Sequence, residues 1–215
     1  MKDRKNKSLY ISLSIAFLTA LGIFCYLSMI TIHEKEGGFD LNIVAYQAAH
    51  AKPGLVKWMK TITFFGDTWF LFTAYMLLII YFIFKKKYYY SLVIFIISFG
   101  AWNLSHGLKL LFHRSRPETS LVTKPTDYSF PSGHALTSFV FCSIIAYLVW
   151  QTRLKLLSKW LLSILLLLFT LSIGASRIIL NVHYASDVIG GFMLAIMWVI
   201  LAMVAWMRVK PLVSS

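Results

Sequence analysis

Three short stretches of the chain carry side chains that apolar helices do not hold without reason. They are Lys109 with Arg116 and Pro117, then Pro131-Ser132-Gly133-His134, then Ser176-Arg177 followed by His183 and Asp187. Ionisable groups in or beside membrane helices are costly, so each asks for a chemical explanation. Lys109, Arg116 and Arg177 supply fixed positive charges. Arginine presents a planar fork that matches phosphate oxygens, while lysine acts as a point charge. Pro131 suits the first turn of a helix. Ser132 and Gly133 would then expose backbone N–H groups at that helix start, where anions bind, and Gly133 has no side chain to keep a ligand away. This set suits a tetrahedral anion of multiple charge.

His183 and Asp187 are four apart, so on a helix they would share one face. A carboxylate beside an imidazole fixes its tautomer and orientation, which makes a nucleophile or a base. His134 is a second imidazole, placed to act as an acid. Two histidines, three cations and a helix start describe a phosphoryl-transfer site that needs no metal or other cofactor. No cysteine takes part and no HExxH pattern exists, so the residues do not describe a zinc site.

The elements that must bring these residues together are membrane helices. The chain has 215 residues, of which 59% are hydrophobic and 13% charged. A soluble domain carries about 45–50% apolar and about 25% charged residues. Six runs are long and apolar enough to span a bilayer: roughly 9–30, 67–84, 88–112, 132–150, 159–176 and 184–207. The expected fold is therefore all-α, a six-transmembrane-helix bundle, with short interfacial helices in the first outer loop and one domain over residues 1–215. The first run follows Lys2, Arg4, Lys5 and Lys7 as a signal peptide would, but it is too long for a signal core and lacks a clear cleavage site. We read it as a retained spanning helix.

Charge sets the orientation. The net charge is +13, but the basic residues sit in short clusters between apolar runs, not in one patch, which speaks against nucleic acid. With the N-terminus inside, the inner segments hold Lys2, Arg4, Lys5, Lys7, Lys85, Lys86, Lys87, Arg153, Lys155, Lys159, Arg208 and Lys210, with Asp3 as their one acid. That bias predicts both termini in the cytoplasm and segments 31–66, 113–131 and 177–183 outside. All three chemical stretches then meet at the outer end of the bundle. Tyr88, Tyr89, Tyr90, Trp150, Trp160 and Trp206 fall near the interfaces and are read as anchors. In the first outer loop, Asp40 is placed to cap a short helix, Pro53-Gly54 breaks it, and a second helix follows.

Lys109-x6-Arg116-Pro117, Pro131-Ser132-Gly133-His134 and Ser176-Arg177-x5-His183-x3-Asp187 resemble the three signature motifs of the type 2 phosphatidic acid phosphatase superfamily. That superfamily takes in lipid phosphatases, bacterial acid phosphatases and vanadium haloperoxidases. Every fixed position of the motifs is present in order, between residues 109 and 187, and the membrane setting points to the lipid-phosphatase branch. The resemblance implies a phosphohistidine on His183, oriented by Asp187, with His134 protonating the leaving alkoxide and then assisting water. It implies phosphate binding by Lys109, Arg116, Ser132, Gly133 and Arg177. The implied substrate is a phospholipid or isoprenoid lipid phosphate: first phosphatidylglycerol phosphate, with undecaprenyl diphosphate as the alternative. No nucleic acid and no obligate protein partner are expected.

A haloperoxidase would hold vanadate in the same pocket, but a membrane bundle is a poor setting for it. A transporter would spread its charges along a pathway through the bilayer, not at one face. Ordinary roles are expected for several polar residues. His33 and His50 are read as solvated and His106 as a packing histidine. His113 and Arg114 are read as an exposed basic pair, and Asn103 as bonded to a neighbouring helix. Asp67 should cap the second spanning helix. Ser176 fits either the site or helix packing, and Cys25 and Cys142 are read as buried small hydrophobes.

Overall fold

Residues 2–34 and 38–213 are described here in a computed structural model. The side chains of Lys2, Asp3, Arg4, Lys5, Arg208 and Lys210, which enter the charge bias, lie outside the described residues. The described backbone forms α1 (Lys2–Glu34), α2 (Gly38–His50), α3 (Pro53–Phe64), α4 (Thr68–Phe84), α5 (Tyr88–Phe112), α6 (Gly133–Trp150), α7 (Leu156–Ile179) and α8 (Ala185–Val213). Among the described residues six stretches are long and apolar enough to cross a membrane: Lys7–His33, Pro53–Phe84, Tyr88–Phe112, Gly133–Trp150, Leu156–Ile179 and Ala185–Met207. They match the six expected runs. The protein is a multi-pass membrane protein, and its surface agrees: Leu161, Leu165 and Leu168 on α7 stand mostly exposed, which lipid tolerates and water does not.

Helix α6 is the hub, packed between α5, α7 and α8. It can be central because Ala135, Ser138 and Cys142 are small and buried, so neighbouring backbones come close. Polar contacts tie the helices across the apolar seams. Ser138 and Thr170 share a 2.9 Å hydrogen bond between α6 and α7, and the Trp198 indole donates to the Ile97 carbonyl between α8 and α5. At Gly191 any Cβ would stand 2.6 Å from the Ser132 carbonyl oxygen, so glycine is what lets α8 lie against the start of α6. Asn103 instead donates to Phe99 of its own helix, and of the two cysteines only Cys142 is buried.

The second apolar stretch is split by a corner at Phe65-Gly66-Asp67. Asp67 is extended and its carboxylate accepts from the Trp69 amide, so it caps α4 as expected. Helix α3 folds back onto α7. A Cβ on Gly66 would meet Ile173 at 2.5 Å and the His134 ring at 3.0 Å, so the corner closes directly on His134.

α5 runs toward the corner and α6 away from it, and the same holds for α7 and α8. The C-terminal ends of α5 and α7 and the N-terminal ends of α6 and α8 therefore share one end of the bundle. At the opposite end Trp206 packs on Tyr89 and Tyr90, and Trp150 on Trp160.

Candidate active site

The last turn of helix α5 carries Lys109, whose carbonyl accepts from the His113 amide. His113 adopts the left-handed conformation, φ 48°, and turns the chain into an extended run. Exposure then alternates: His113 and Ser115 are exposed, Arg114 and Arg116 buried. The expected exposed basic pair is thus half wrong. Only His113 stays outside, packed on Tyr128.

The last turn of helix α7 carries Arg177, and the chain leaves the helix through a left-handed Asn181, φ 52°, a conformation asparagine tolerates. The Val182 and His183 amides both donate to the Arg177 carbonyl, at 3.1 and 3.3 Å. His183 therefore lies in the turn between α7 and α8, not on a helix face beside Asp187. Asp187 stands in the first turn of α8, and its carboxylate reaches back to the Tyr184 amide, 2.9 Å, as an N3 acid does in a capping box.

The two residues still meet. His183 Nδ1 is 3.3 Å from Asp187 Oδ2 and 3.3 Å from Ser129 Oγ, and Ser129 also donates to Asp187. On the other side of the ring, Arg116 Nη1 lies 3.0 Å from Nε2 and donates to the Val182 carbonyl at 2.7 Å. A guanidinium has only donors, so Nε2 must offer its lone pair and Nδ1 must carry the proton. Burial pushes the His183 imidazole well below its usual range, and Arg116, Arg177 and Lys109 push it the same way. His183 is a neutral imidazole with its Nε2 lone pair directed at the cations.

Behind this ring runs a second network that the sequence did not disclose. Arg114 Nη1 donates to Asp187 Oδ1 and to Ser186 Oγ, both at 2.6 Å, and Nη2 donates to Asp40 Oδ2 at 2.7 Å. The guanidinium also stacks on Tyr184, 4.3 Å from the ring centroid. Asp40 accepts from the Ser186 amide at 3.0 Å and from its hydroxyl. Asp40 thus ties α2 to α8 and, lying inside α2, is not the helix cap it resembled. Burial opposes the charge of Arg114, but Asp187 and Asp40 hold its pKa above the ordinary value. Ser129 was missed as well. The available signal was Asp187 itself: a buried carboxylate needs donors, and the polar residues just before the Pro131 stretch lie within reach of the same end of the bundle.

A cavity of about 320 Å³ opens in front of His183. Lys109, Arg116, Gly133, His134, Arg177 and His183 form its polar wall. Asp187 and Ser132 do not line it. Asp187 sits behind His183, and Ser132 is fully buried at the N-cap of α6. The Ser132 amide is spent on the Asp187 carbonyl, 3.0 Å, so that N–H is not the free anion donor expected. Pro131 precedes the helix and is outside its first turn. Among the described residues the buried Ser132 hydroxyl and Arg177 Nε have no hydrogen-bond partner, while Arg177 Nη1 donates to Thr63 of α3 at 2.7 Å. Ser176 bonds back to the Ile173 carbonyl at 2.6 Å and serves helix packing. His106 lines the cavity with its ring parallel to Trp102, centroids 5.6 Å apart.

An acid outside the three motif stretches also enters the cavity. Asp127 pairs with Lys109 and, at 2.7 Å, with Arg116 Nη2. Desolvation works against its charge, but the bonds and charges of Lys109 and Arg116 bring its pKa down to about 2. Beside this polar space lies an apolar cavity of about 550 Å³ between α4 and α5, and the two share Thr68, Trp102 and Thr137 as walls. Leu71, Phe72 and Phe95 are among its lining.

Comparison with known proteins gives this geometry a setting. Residues 89–210 match the family model of the PAP2 superfamily. Phosphatidylglycerophosphatase B of Bacillus subtilis is 29% identical over 148 residues, covering 68% of this chain and 72% of that one. A putative undecaprenyl-diphosphatase of Escherichia coli is 26% identical over 178 residues, covering 78% and 83%. The crystal structure of a transmembrane PAP2-type phosphatidylglycerolphosphate phosphatase from Bacillus subtilis superposes with a TM-score of 0.81 at 25% identity, covering 90% of this chain and 96% of that one.

Proposed function

Since the chain belongs to the PAP2 superfamily, we propose that it dephosphorylates a membrane lipid, with phosphatidylglycerol phosphate as the substrate, through a phosphohistidine on His183. The observation that carries this is the orientation of His183: Asp187 and Ser129 hold Nδ1, and Nε2 faces Arg116 in a cavity walled by Lys109, Arg177 and His134.

In this reading the phosphate enters among Lys109, Arg116 and Arg177, and Arg116 turns from Nε2 onto a phosphate oxygen. Arg177 Nε, which has no hydrogen-bond partner among the described residues, completes the donors. Nε2 attacks phosphorus while the bond to the lipid oxygen breaks. His134 gives that oxygen a proton, and the lipid alcohol leaves. His134 then takes a proton from water as the water oxygen attacks the phosphorus, which breaks the P–N bond and frees inorganic phosphate. Asp187 stabilises the charge that His183 gains, and Arg114 and Asp40 hold Asp187. The fixed cations stabilise charge on the transferring group, commonly the largest catalytic contribution.

The apolar cavity between α4 and α5 meets the polar one at Trp102. It fits the acyl chain of a lipid whose headgroup reaches the cations from within the bilayer. The basic clusters at the opposite end of the bundle favour a cytoplasmic position for that end and an extracytoplasmic one for the cavity, by the positive-inside bias. Undecaprenyl diphosphate is the second reading, favoured by the similarity to the Escherichia coli putative undecaprenyl-diphosphatase over most of both chains. The test is phosphate release from each lipid at equal concentration, by purified protein in EDTA. We expect release from phosphatidylglycerol phosphate, none with His183→Ala, and a lower rate with undecaprenyl diphosphate. Retained activity in His183→Ala would sink the mechanism, and a preference for the diphosphate would reverse the order of substrates.

A further inference from the structure

The carboxylate of Asp127 occupies the place where a phosphate would be held. One of its oxygens pairs with Lys109 and the other with Arg116 Nη2 at 2.7 Å. Those side chains are 10% and 3% exposed, but that of Asp127 is 49% exposed. The two cations are locked into the bundle, and the acid projects into the cavity from the irregular segment between α5 and α6.

Resting on the phosphate-seat reading above, we propose that Asp127 is a built-in competitor of phosphate: it bridges Lys109 and Arg116 between turnovers, yields them to the lipid phosphate, and returns to expel the inorganic product.

Three features support competition and exclude a merely supporting role. First, Arg116 does not need the Asp127 side chain to stay in place. Its Nε donates to the Asp127 backbone carbonyl at 2.9 Å, Nη2 to the Tyr128 carbonyl at 3.3 Å, and Nη1 to the Val182 carbonyl at 2.7 Å. The backbone would hold the guanidinium after the carboxylate leaves. Second, a phosphate oxygen and a carboxylate oxygen demand the same donors at the same distance, so both cannot sit on Lys109 and Arg116 together. Third, a trapped dianion among three cations would leave slowly, whereas a tethered anion of single charge can take back the donors one at a time. The competitor is charged at neutral pH, because Lys109 and Arg116 bring the pKa of the Asp127 carboxylate down to about 2 against its desolvation.

The two roles predict opposite signs. If Asp127 competes, Asp127→Asn binds inorganic phosphate more tightly than wild type. If it only props Arg116, the same variant binds more weakly. The measurement is binding of radiolabelled inorganic phosphate and of orthovanadate to full-length protein in detergent micelles, with Asp127→Ala as a second variant and thermal unfolding as the control for folding. We expect affinity to rise about tenfold in both variants, the size expected for removing a like charge a few ångströms from the ligand in a partly screened site. Steady-state turnover should fall as product release slows, while the first burst of lipid cleavage keeps its rate. Unchanged or weaker binding in the folded variants overturns the competitor role and leaves the phosphatase reading standing. If neither anion binds to folded wild type or variant, the phosphate seat itself falls, and the competitor role with it.

Discussion

Two arginines two residues apart live in opposite circumstances. Arg114 lies between Asp40 and Asp187 with side-chain exposures of 1%, 3% and 0%, and its ring partner Tyr184 covers it. Arg116 pairs with an acid that is half in the open and faces a cavity. All three bridges are arginine–carboxylate pairs of 2.6–2.7 Å. Distance therefore does not separate structure from function here; access does. A sealed pair has no competitor for its donors and becomes part of the framework. An open pair exchanges partners, which is what a site that binds and releases an anion requires.

The comparison can be broken first at Arg114. Arg114→Ala leaves Asp40 and Asp187 buried and uncompensated, and breaking a buried pair costs about 3–5 kcal/mol. We expect loss of the folded protein, or a large drop in thermal midpoint in micelles, and Arg114→Lys should rescue little because a single ammonium cannot span two carboxylates. Next is Arg116→Ala, expected to lower kcat/KM by about 10²–10³, the size seen when one transition-state donor is removed, with little change in thermal midpoint. Equal loss of stability in the two alanine variants would erase the distinction between sealed and open.

Ser129→Ala tests the link between the networks. It removes a hydrogen bond to a buried carboxylate, worth about 1–3 kcal/mol, and loosens one of the two contacts at His183 Nδ1. Both stability and kcat should fall moderately. The pH profile sharpens the picture further. His183 is nucleophilic only when neutral, and its pKa is lowered by burial and by the nearby cations. As pH falls the acid limb of kcat/KM should therefore appear below the ordinary histidine range near pH 6.5. An acid limb above that value would contradict a buried imidazole beside three cations. The smallest effect belongs to Asp127→Asn, which should change stability by less than about 1 kcal/mol, as for a partly exposed ion pair.

The helices and the three motif stretches were legible in the sequence because each rests on local information: length of apolar run, or spacing of a few residues. His183, His134, Lys109, Arg116 and Arg177 meet at one cavity because the alternating helix directions bring their ends together. What was not legible was long-range and sign-blind. Arg114 read as exposed because a charge alone does not reveal burial; its partners lie 74 and 73 residues away. Asp40 read as a cap since acids at helix starts usually are. Asp127 and Ser129 carry no spacing signature at all. Where a serine donates its amide, as Ser132 does to the Asp187 carbonyl, depends on a helix that follows it by some fifty residues.

The left-handed turn at His113 has a bearing on why Lys109 and Arg116 stand seven apart. Beyond that turn the chain is extended, and side chains point alternately to the two sides. Over residues 113–116 the odd positions are exposed and the even ones buried, and the alternation ends at Pro117, which is buried as well. One inserted or deleted residue between His113 and Arg114 would flip the whole register. Both guanidiniums would then leave the interior together, and the framework and the anion seat would be lost in a single step. A shift of two residues would keep the parity but still displace each charge by about 6–7 Å, since a strand rises about 3.3 Å per residue. The interval between the lysine and the arginine is thus set by the parity of an extended chain as much as by the reach of either side chain.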